Sequence, residues 1–309
     1  MSYVLETFGL SKRYKQQWAL KDVNMHISKG DIYGFVGENG SGKTTVIRLV
    51  TGLIFATEGN VALFGVRDDN PAIFDERKKI GAIVENPSIY LNMSAAENLR
   101  LQCSILGIVD GVEAKIQAVL NEVGLLELYE NKKNAANFSL GMRQRLGIAM
   151  ALLGNPELII LDEPMNGLDP AGIVEIRELI LKLNCEQQIT FLISSHILTE
   201  LALVATKYGI ISKGELIKEI TAEELRQECR PTTFINSPNR EGLFSTLSST
   251  LPPSNCIPTG RGVRIIGDIN LNEILKILIQ EGIEIESINC YQSNIEDYYL
   301  SLIGGRNHA

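Results

Sequence analysis

Residues 37 to 44 read Gly37-Glu38-Asn39-Gly40-Ser41-Gly42-Lys43-Thr44, with Thr45 next, and this run restricts the fold more than any other. Glycines at these intervals let the backbone wrap closely around phosphate oxygens and aim successive N–H groups at them. The loop follows Asp31-Ile32-Tyr33-Gly34-Phe35-Val36, an apolar and aromatic run that suits a buried strand. It precedes Thr45-Val46-Ile47-Arg48-Leu49-Val50, whose apolar spacing suits a helix. Strand, glycine loop and helix in that order are the setting of a P-loop. The helix N-terminus adds partial positive charge. Lys43 offers a point charge to the β- and γ-phosphates, and the Thr44 hydroxyl suits a Mg²⁺ ligand. A chain built this way is expected to bind a nucleoside triphosphate.

With 309 residues and 45% hydrophobic content, the chain is long enough for two domains and a full core. A formal net charge of −8 argues against a polyanion binder, so no nucleic-acid partner is expected. No stretch approaches about 18 uninterrupted apolar residues, so no bilayer span is expected. The first six residues lack a basic segment followed by an apolar one, and no secretory signal is expected. Cys103, Cys185, Cys229, Cys256 and Cys290 are widely spaced without a Cys-x-x-Cys pair, which points away from zinc and toward a reducing compartment. These features read together as a soluble cytoplasmic protein.

Short apolar runs between turn residues make residues 4 to 36 read as strands. Ser94-Ala95-Ala96-Glu97 has capping-box spacing ahead of a helical run through Leu99, Leu101, Ile105 and Leu106. Residues 112 to 123 predict another helix, stopped by Gly124. A third begins near Ser139 and ends at Gly154-Asn155-Pro156. Leu158-Ile159-Ile160-Leu161 and Thr190-Phe191-Leu192-Ile193-Ser194 read as buried strands, with a helix between them starting at Asp169-Pro170. Strands alternating with helices predict an α/β fold with a parallel sheet covered on both faces. Near residue 225 the character changes, as Pro231, Ser237-Pro238-Asn239 and Pro252-Pro253 punctuate the chain. The remainder reads as a small α/β unit. Its expected strands are Thr232 to Asn236, Gly262 to Ile266 and a run through Ile283, Ile285 and Ile288. Its expected helices are residues 271 to 281 and Ile295 to Ile303, the latter stopped by Gly304-Gly305. The expected domains are therefore 1–225 and 226–309.

The strand Leu158–Leu161 runs straight into Asp162 and Glu163. Beside a P-loop strand, Asp162 is placed to support Mg²⁺, and Glu163 to orient or deprotonate a water. Asn137-Phe138-Ser139-Leu140-Gly141-Met142-Arg143-Gln144-Arg145 opens a helix, and a Ser cap with free N–H groups behind it is a second anion site. Over residues 4 to about 220 these motifs, in this order, resemble the ATP-binding subunit of an ATP-binding-cassette (ABC) transporter. The resemblance implies a P-loop NTPase of ABC type: a mostly parallel sheet, an antiparallel β subdomain, a helical subdomain and a small C-terminal α/β accessory domain. It implies that Ser139 and Gly141 belong to the signature that grips the γ-phosphate on a second subunit. Gly167-Leu168-Asp169 matches the D-loop, Ser195-His196 the switch histidine, and Tyr14 the aromatic residue set against adenine.

Two departures stand out. The signature, commonly Leu-Ser-Gly-Gly-Gln, is Phe138-Ser139-Leu140-Gly141-Met142 here, and Leu140 makes the backbone less permissive than glycine. Where most members carry a Q-loop glutamine, this chain has Glu85 in Gly81-Ala82-Ile83-Val84-Glu85-Asn86-Pro87, near the expected Mg²⁺ position. Both are similar to the branch that exports bacitracin and lantibiotics. The resemblance then implies an ATPase that powers a multi-span membrane permease on a separate chain and lies against the inner face of the membrane. One P-loop and one signature imply a homodimer holding two ATP molecules. The alternative is a soluble ABC ATPase acting on translation or DNA. Its usual second cassette, sustained heptads or clustered cysteines are not seen here, and only about a hundred residues separate P-loop and signature.

Overall fold

Every residue from Ile32 to Val36, just ahead of the glycine loop, is buried, which only a central strand with both sheet faces covered allows. The computed structural model describes residues 3–291 and 295–304 and places the segment there. The chain divides into two compact units, Met1–Ala222 and Glu223–Ala309. The first begins with β1 (Tyr3–Tyr14), β2 (Gln17–Val23), β3 (His26–Ser28), β4 (Ile32–Val36) and α1 (Lys43–Val50). There follow β5 (Glu58–Leu63), β6 (Val66–Arg67), α2 (Ile73–Arg77), β7 (Ile80–Ile83), α3 (Ala95–Ile105), α4 (Val112–Glu122) and α5 (Leu140–Leu152). It continues through β8 (Leu158–Asp162), α6 (Pro170–Gln187), β9 (Thr190–Ser195), α7 (Leu198–Leu201), β10 (Lys207–Ser212) and β11 (Glu215–Thr221), after which α8 (Ala222–Glu228) begins.

Two sheets share this unit. One has the order β2-β1-β5-β6, with β3 also paired to β1, and its pairings are antiparallel. The other has the order β11-β10-β4-β9-β8-β7 and is parallel apart from the β10–β11 hairpin. Helices α3, α4 and α5 pack on one another as a helical layer. The capping box forms as expected: Ser94 Oγ accepts from the Glu97 N–H, and Glu97 Oε2 accepts from the Ser94 N–H. Among the described residues no helix is long and apolar enough to cross a membrane.

The second unit contains β12 (Thr232–Asn236), α9 (Arg240–Thr250), β13 (Cys256–Pro258), β14 (Gly262–Ile266), α10 (Leu271–Gln280), β15 (Ser287–Tyr291) and α11 (Ile295–Gly304). Its sheet has the order β13-β14-β12-β15, all antiparallel, which is the split β-α-β-β-α-β arrangement. Ile235, Val263 and Ile265 from the sheet pack with Leu243 and Leu247 of α9 and Ile274 and Leu278 of α10.

One strand differs from the sequence reading. Ile283 and Ile285 precede β15 rather than belong to it. The Ile283 N–H donates to the Leu278 carbonyl at 2.9 Å, past Gly282 at φ 67°, so Ile283 is the buried contact that closes the α10 C-terminus. Gly305, expected to stop the last helix, lies outside the described residues.

A half-buried polar cluster ties the two sheets of the first unit together. Glu219 on β11 accepts from Tyr33 Oη on β4 at 2.9 Å and from the His26 N–H on β3 at 3.0 Å. Its other oxygen lies 2.9 Å from His26 Nδ1, and Lys207 Nζ on β10 is 3.4 Å away. Burial, with the Glu219 charge beside it, pushes the Tyr33 phenol well above its usual pKa. Removing the carboxylate strands the buried Tyr33 hydroxyl and takes the charged partner from Lys207, which keeps its bond to the His26 carbonyl at 2.7 Å. Glu219→Ala is expected to lower unfolding free energy by about 2–4 kcal/mol in urea titrations, against about 1 kcal/mol for Tyr33→Phe.

Candidate active site

Strands β4, β9 and β8 are neighbours and parallel, so their carboxyl ends lie side by side, and each continues into one part of the site. After β4 the glycine loop turns into α1. Gly37 cannot carry a side chain, because a Cβ there would lie 2.4 Å from the Ile211 carbonyl oxygen and 2.5 Å from Ser41 Oγ. Lys43 is 6% exposed, and its Nζ donates to the Gly37 carbonyl at 2.6 Å and to the Glu38 carbonyl at 3.3 Å. Ser41 Oγ is buried and, among the described residues, has no hydrogen-bond partner. Glu38, Asn39 and Gly40 are exposed on the loop, Gly42 precedes α1 at φ 113°, and Thr45 is half-buried behind Thr44.

At the end of β8, Asp162 is 2% exposed and receives two hydroxyls. Thr44 Oγ1 donates to Oδ2 at 2.9 Å, and Ser194 Oγ donates to Oδ1 at 2.5 Å. Glu163 follows at φ 51°, a left-handed conformation that costs a non-glycine residue about 1–3 kcal/mol. Ser194 holds it there by accepting the Glu163 N–H on Oγ at 3.0 Å. The Glu163 carboxylate is then shared, with Oε1 3.3 Å from Lys43 Nζ and Oε2 2.8 Å from His196 Nδ1. His196 follows directly after β9. Nearby on α7, burial pushes the Glu200 carboxyl up, an effect opposed by His196 and reinforced by Glu163.

Tyr14, at the end of β1, is 45% exposed. It lines a cleft of 470 Å³ with Gln17, Trp18, Ala19, Gly40 and Lys213, so the aromatic wall reaches the glycine loop. Glu85 follows β7 at φ 63° and pairs with Arg48, one turn beyond Thr44 on α1. Ser139 caps α5 by accepting the Met142 N–H at 3.1 Å, with Gly141 in the first turn. Asp169 caps α6 by accepting the Gly172 N–H at 3.1 Å, with Pro170 at the first helical position. The structure thus brings Lys43, Thr44, Asp162, Glu163 and His196 together. Among the described residues no hydrogen bond or ion pair joins Ser139, Gly141 or Asp169 to that group.

Sequence reasoning did not single out Ser194, Arg48 or Lys213. Ser194 had a readable signal, a hydroxyl at the end of an otherwise apolar strand that is buried throughout. Arg48 and Lys213 had none, since each is an ordinary surface cation until the fold places it.

Comparison with known proteins is consistent with this geometry. The ABC transporter family profile matches residues 20–166. The bacitracin transport ATP-binding protein BcrA of Bacillus licheniformis is 39% identical over 311 residues, covering 99% of each chain. The lantibiotic transport ATP-binding protein SrtF of Streptococcus pyogenes is 42% identical over 216 residues, covering 70% of this chain and 90% of its own. Among solved structures, the dimeric post-hydrolysis form of the ATP-binding cassette MJ0796, bound to ADP and Pi, superposes with a TM-score of 0.62 at 25% identity. It covers 71% of this chain and 98% of its own.

Ser194→Ala would take the hydroxyl from Asp162 Oδ1 and leave the Glu163 N–H with only the Ser194 carbonyl, 3.2 Å away. It is expected to destabilise the fold by about 1–3 kcal/mol in urea titrations. In a steady-state nucleotide-hydrolysis assay it is expected to lower kcat by about tenfold or more, because Glu163 loses the shorter of the two bonds that hold its backbone.

Proposed function

The chain belongs to the ABC transporter family as an ATP-binding subunit that hydrolyses ATP to drive transport, and from that premise we propose how its residues do so and what is carried. The observation that carries the reading is the convergence on Glu163. A phosphate held by Lys43 lies within reach of a carboxylate 3.3 Å from that lysine and 2.8 Å from His196. In this reading Tyr14, with Trp18 beside it, faces adenine. The N–H groups of residues 37 to 45 and Lys43 hold the phosphates. Glu163 accepts the proton of the attacking water, while His196 orients Glu163 and contacts the γ-phosphate.

The donor set also fits Mg²⁺, which takes one or two protein oxygens and leaves the rest to phosphate and water. Thr44 Oγ1 would bind it and Asp162 would support it, with the Thr44–Asp162 distance of 2.9 Å already setting the pair. When bound, the ion neutralises charge on the phosphates. Glu85, held by Arg48 on the same helix as Thr44, would respond to that site from the neighbouring loop.

Two copies arranged head to tail would set each glycine loop against the other copy's Ser139, Gly141 and Asp169. The exposure of Ser139 and Asp169 supports this, as does the dimeric ADP-bound relative. The membrane subunit would dock along β7, the edge strand of the large sheet. There a groove of 280 Å³ runs past Ile83, Asn86, Pro87, Gln102, Leu106 and Gly147, next to Glu85. The protein would then sit on the cytoplasmic face of the membrane through that subunit. The BcrA and SrtF likenesses support a peptide antibiotic as the exported cargo. We assign residues 226–309 as an accessory domain.

Glu163→Gln keeps the shape and removes the base. Phosphate release is expected to fall about 10²- to 10⁴-fold while ATP affinity stays within a few-fold, and the variant should elute as an ATP-bound dimer. Hydrolysis at the wild-type rate would contradict the assignment. Glu85→Ala removes an exposed pair with Arg48, worth at most about 1 kcal/mol to the isolated subunit. It is expected to leave basal hydrolysis within about twofold and to reduce antibiotic resistance in cells that carry the permease. Unchanged resistance would make Glu85 a solvated loop acid.

A further inference from the structure

Leu140 occupies the signature position that is commonly glycine, and the structure shows where its side chain goes. It begins α5 directly after the Ser139 cap in ordinary helical backbone, so the leucine carries no conformational strain. The side chain is 39% exposed and leans on the segment ahead of α6: a Cβ placed on Gly167 would lie 3.3 Å from Leu140 Cδ2. Gly167 sits at φ 76°, so a side chain there would be strained as well as crowded. The contact is reciprocal. A Cβ placed on Gly141 would lie 3.9 Å from Leu168 Cδ2. Each leucine therefore covers the other segment's glycine. Further along the same two helices, Arg145 Nη2 on α5 and Glu175 Oε2 on α6 are 3.4 Å apart, a second tie.

We propose that Leu140 and Leu168 are positioning residues that lock the caps of α5 and α6 into one rigid surface. Ser139 and Asp169 are then presented together to the nucleotide on the second copy. The inference rests on the composite-site reading above and assigns within it what the leucine contributes. A glycine at position 140 leaves the first turn of α5 freer to fray and uncovers Gly167. Capture of ATP by a single subunit uses none of these groups. Hydrolysis in the dimer uses both caps, so the contact acts on kcat and on dimer closure, not on nucleotide affinity.

The test uses the full-length protein and ATP with Mg²⁺. Four quantities are measured: kcat, the dissociation constant of a fluorescent ATP analogue for the single subunit, thermal unfolding, and ATP-driven dimerisation in the Glu163→Gln background. Leu140→Gly is expected to keep the analogue's dissociation constant within about twofold and to lower kcat about fivefold to tenfold, with dimerisation weakened similarly. Leu140→Met, which refills the space, is expected to recover at least about half of kcat. Leu140→Gly with Leu168→Ala is expected to be no worse than Leu140→Gly alone, within about twofold, because the two leucines close one seam between the caps and loss of either frees it. If Leu140→Gly does not fold, Leu168→Ala reads the contact from the other side, with the same expected split. A kcat within about twofold of wild type for both single variants, or losses that multiply in the double variant, would overturn the proposal. Failure of the wild type to hydrolyse ATP, or of Glu163→Gln to dimerise, would instead overturn the composite-site reading on which it rests.

Discussion

Everything chemical in this molecule depends on one buried carboxylate accepting two hydroxyls. Asp162 receives Thr44 from α1 and Ser194 from β9, so a single side chain fastens the glycine-loop helix, the β8 end and the β9 end to one another. An unpaired buried carboxylate is costly, and each hydroxyl reduces that cost while fixing a strand terminus. Ser194 then does a second job. It accepts the Glu163 N–H and holds that residue in a left-handed conformation it would not choose alone. The strain turns the Glu163 carboxylate toward Lys43 and His196 rather than continuing the strand direction. Strain of this kind persists only where the surroundings over-determine it, and here the ends of β8 and β9 and the start of α1 do.

The fold's core was readable because its signals are strong and local. The fully buried strands β4, β8 and β9 appear in sequence as uninterrupted apolar runs, and the caps at Ser94, Ser139 and Asp169 as small polar residues ahead of helical periodicity. Strands β5, β7, β10 and β11 were not read. They are short or only partly apolar, and although β10 and β11 form a hairpin, the pairings that place β5, β7 and β10 in their sheets reach partners far away in the chain. The Ile283–Ile285 run misled for the opposite reason. Its apolar spacing suits a strand, but Gly282 allows the chain to fold back and close α10, and Ile283 serves that closure.

The candidate site divides in the same way. Lys43, Thr44, Asp162 and Glu163 sit inside contiguous motifs, so residue type and spacing pointed to them, while His196 was reached through the family resemblance. Ser194 and Arg48 act through contacts that only the sheet order creates. Glu85 shows the limit most clearly. Its carboxylate could be read from sequence, but its pairing with Arg48 makes it a link between the β7 loop and α1, a role visible only in the fold. Leu140 is similar. In sequence it is a departure at a glycine position, and in the structure it is half of a contact between two helix caps.

The central claim is that each ATP lies between a glycine loop of one copy and the caps of the other. A structure of the Glu163→Gln protein with ATP and Mg²⁺ tests it most directly. The account predicts two nucleotides in a twofold dimer. Each would have adenine against Tyr14, the metal on Thr44 Oγ1, and the γ-phosphate between His196 of one copy and Ser139 of the other. A nucleotide bound by one copy alone, with Ser139 and Asp169 facing solvent at saturating ATP, would contradict it.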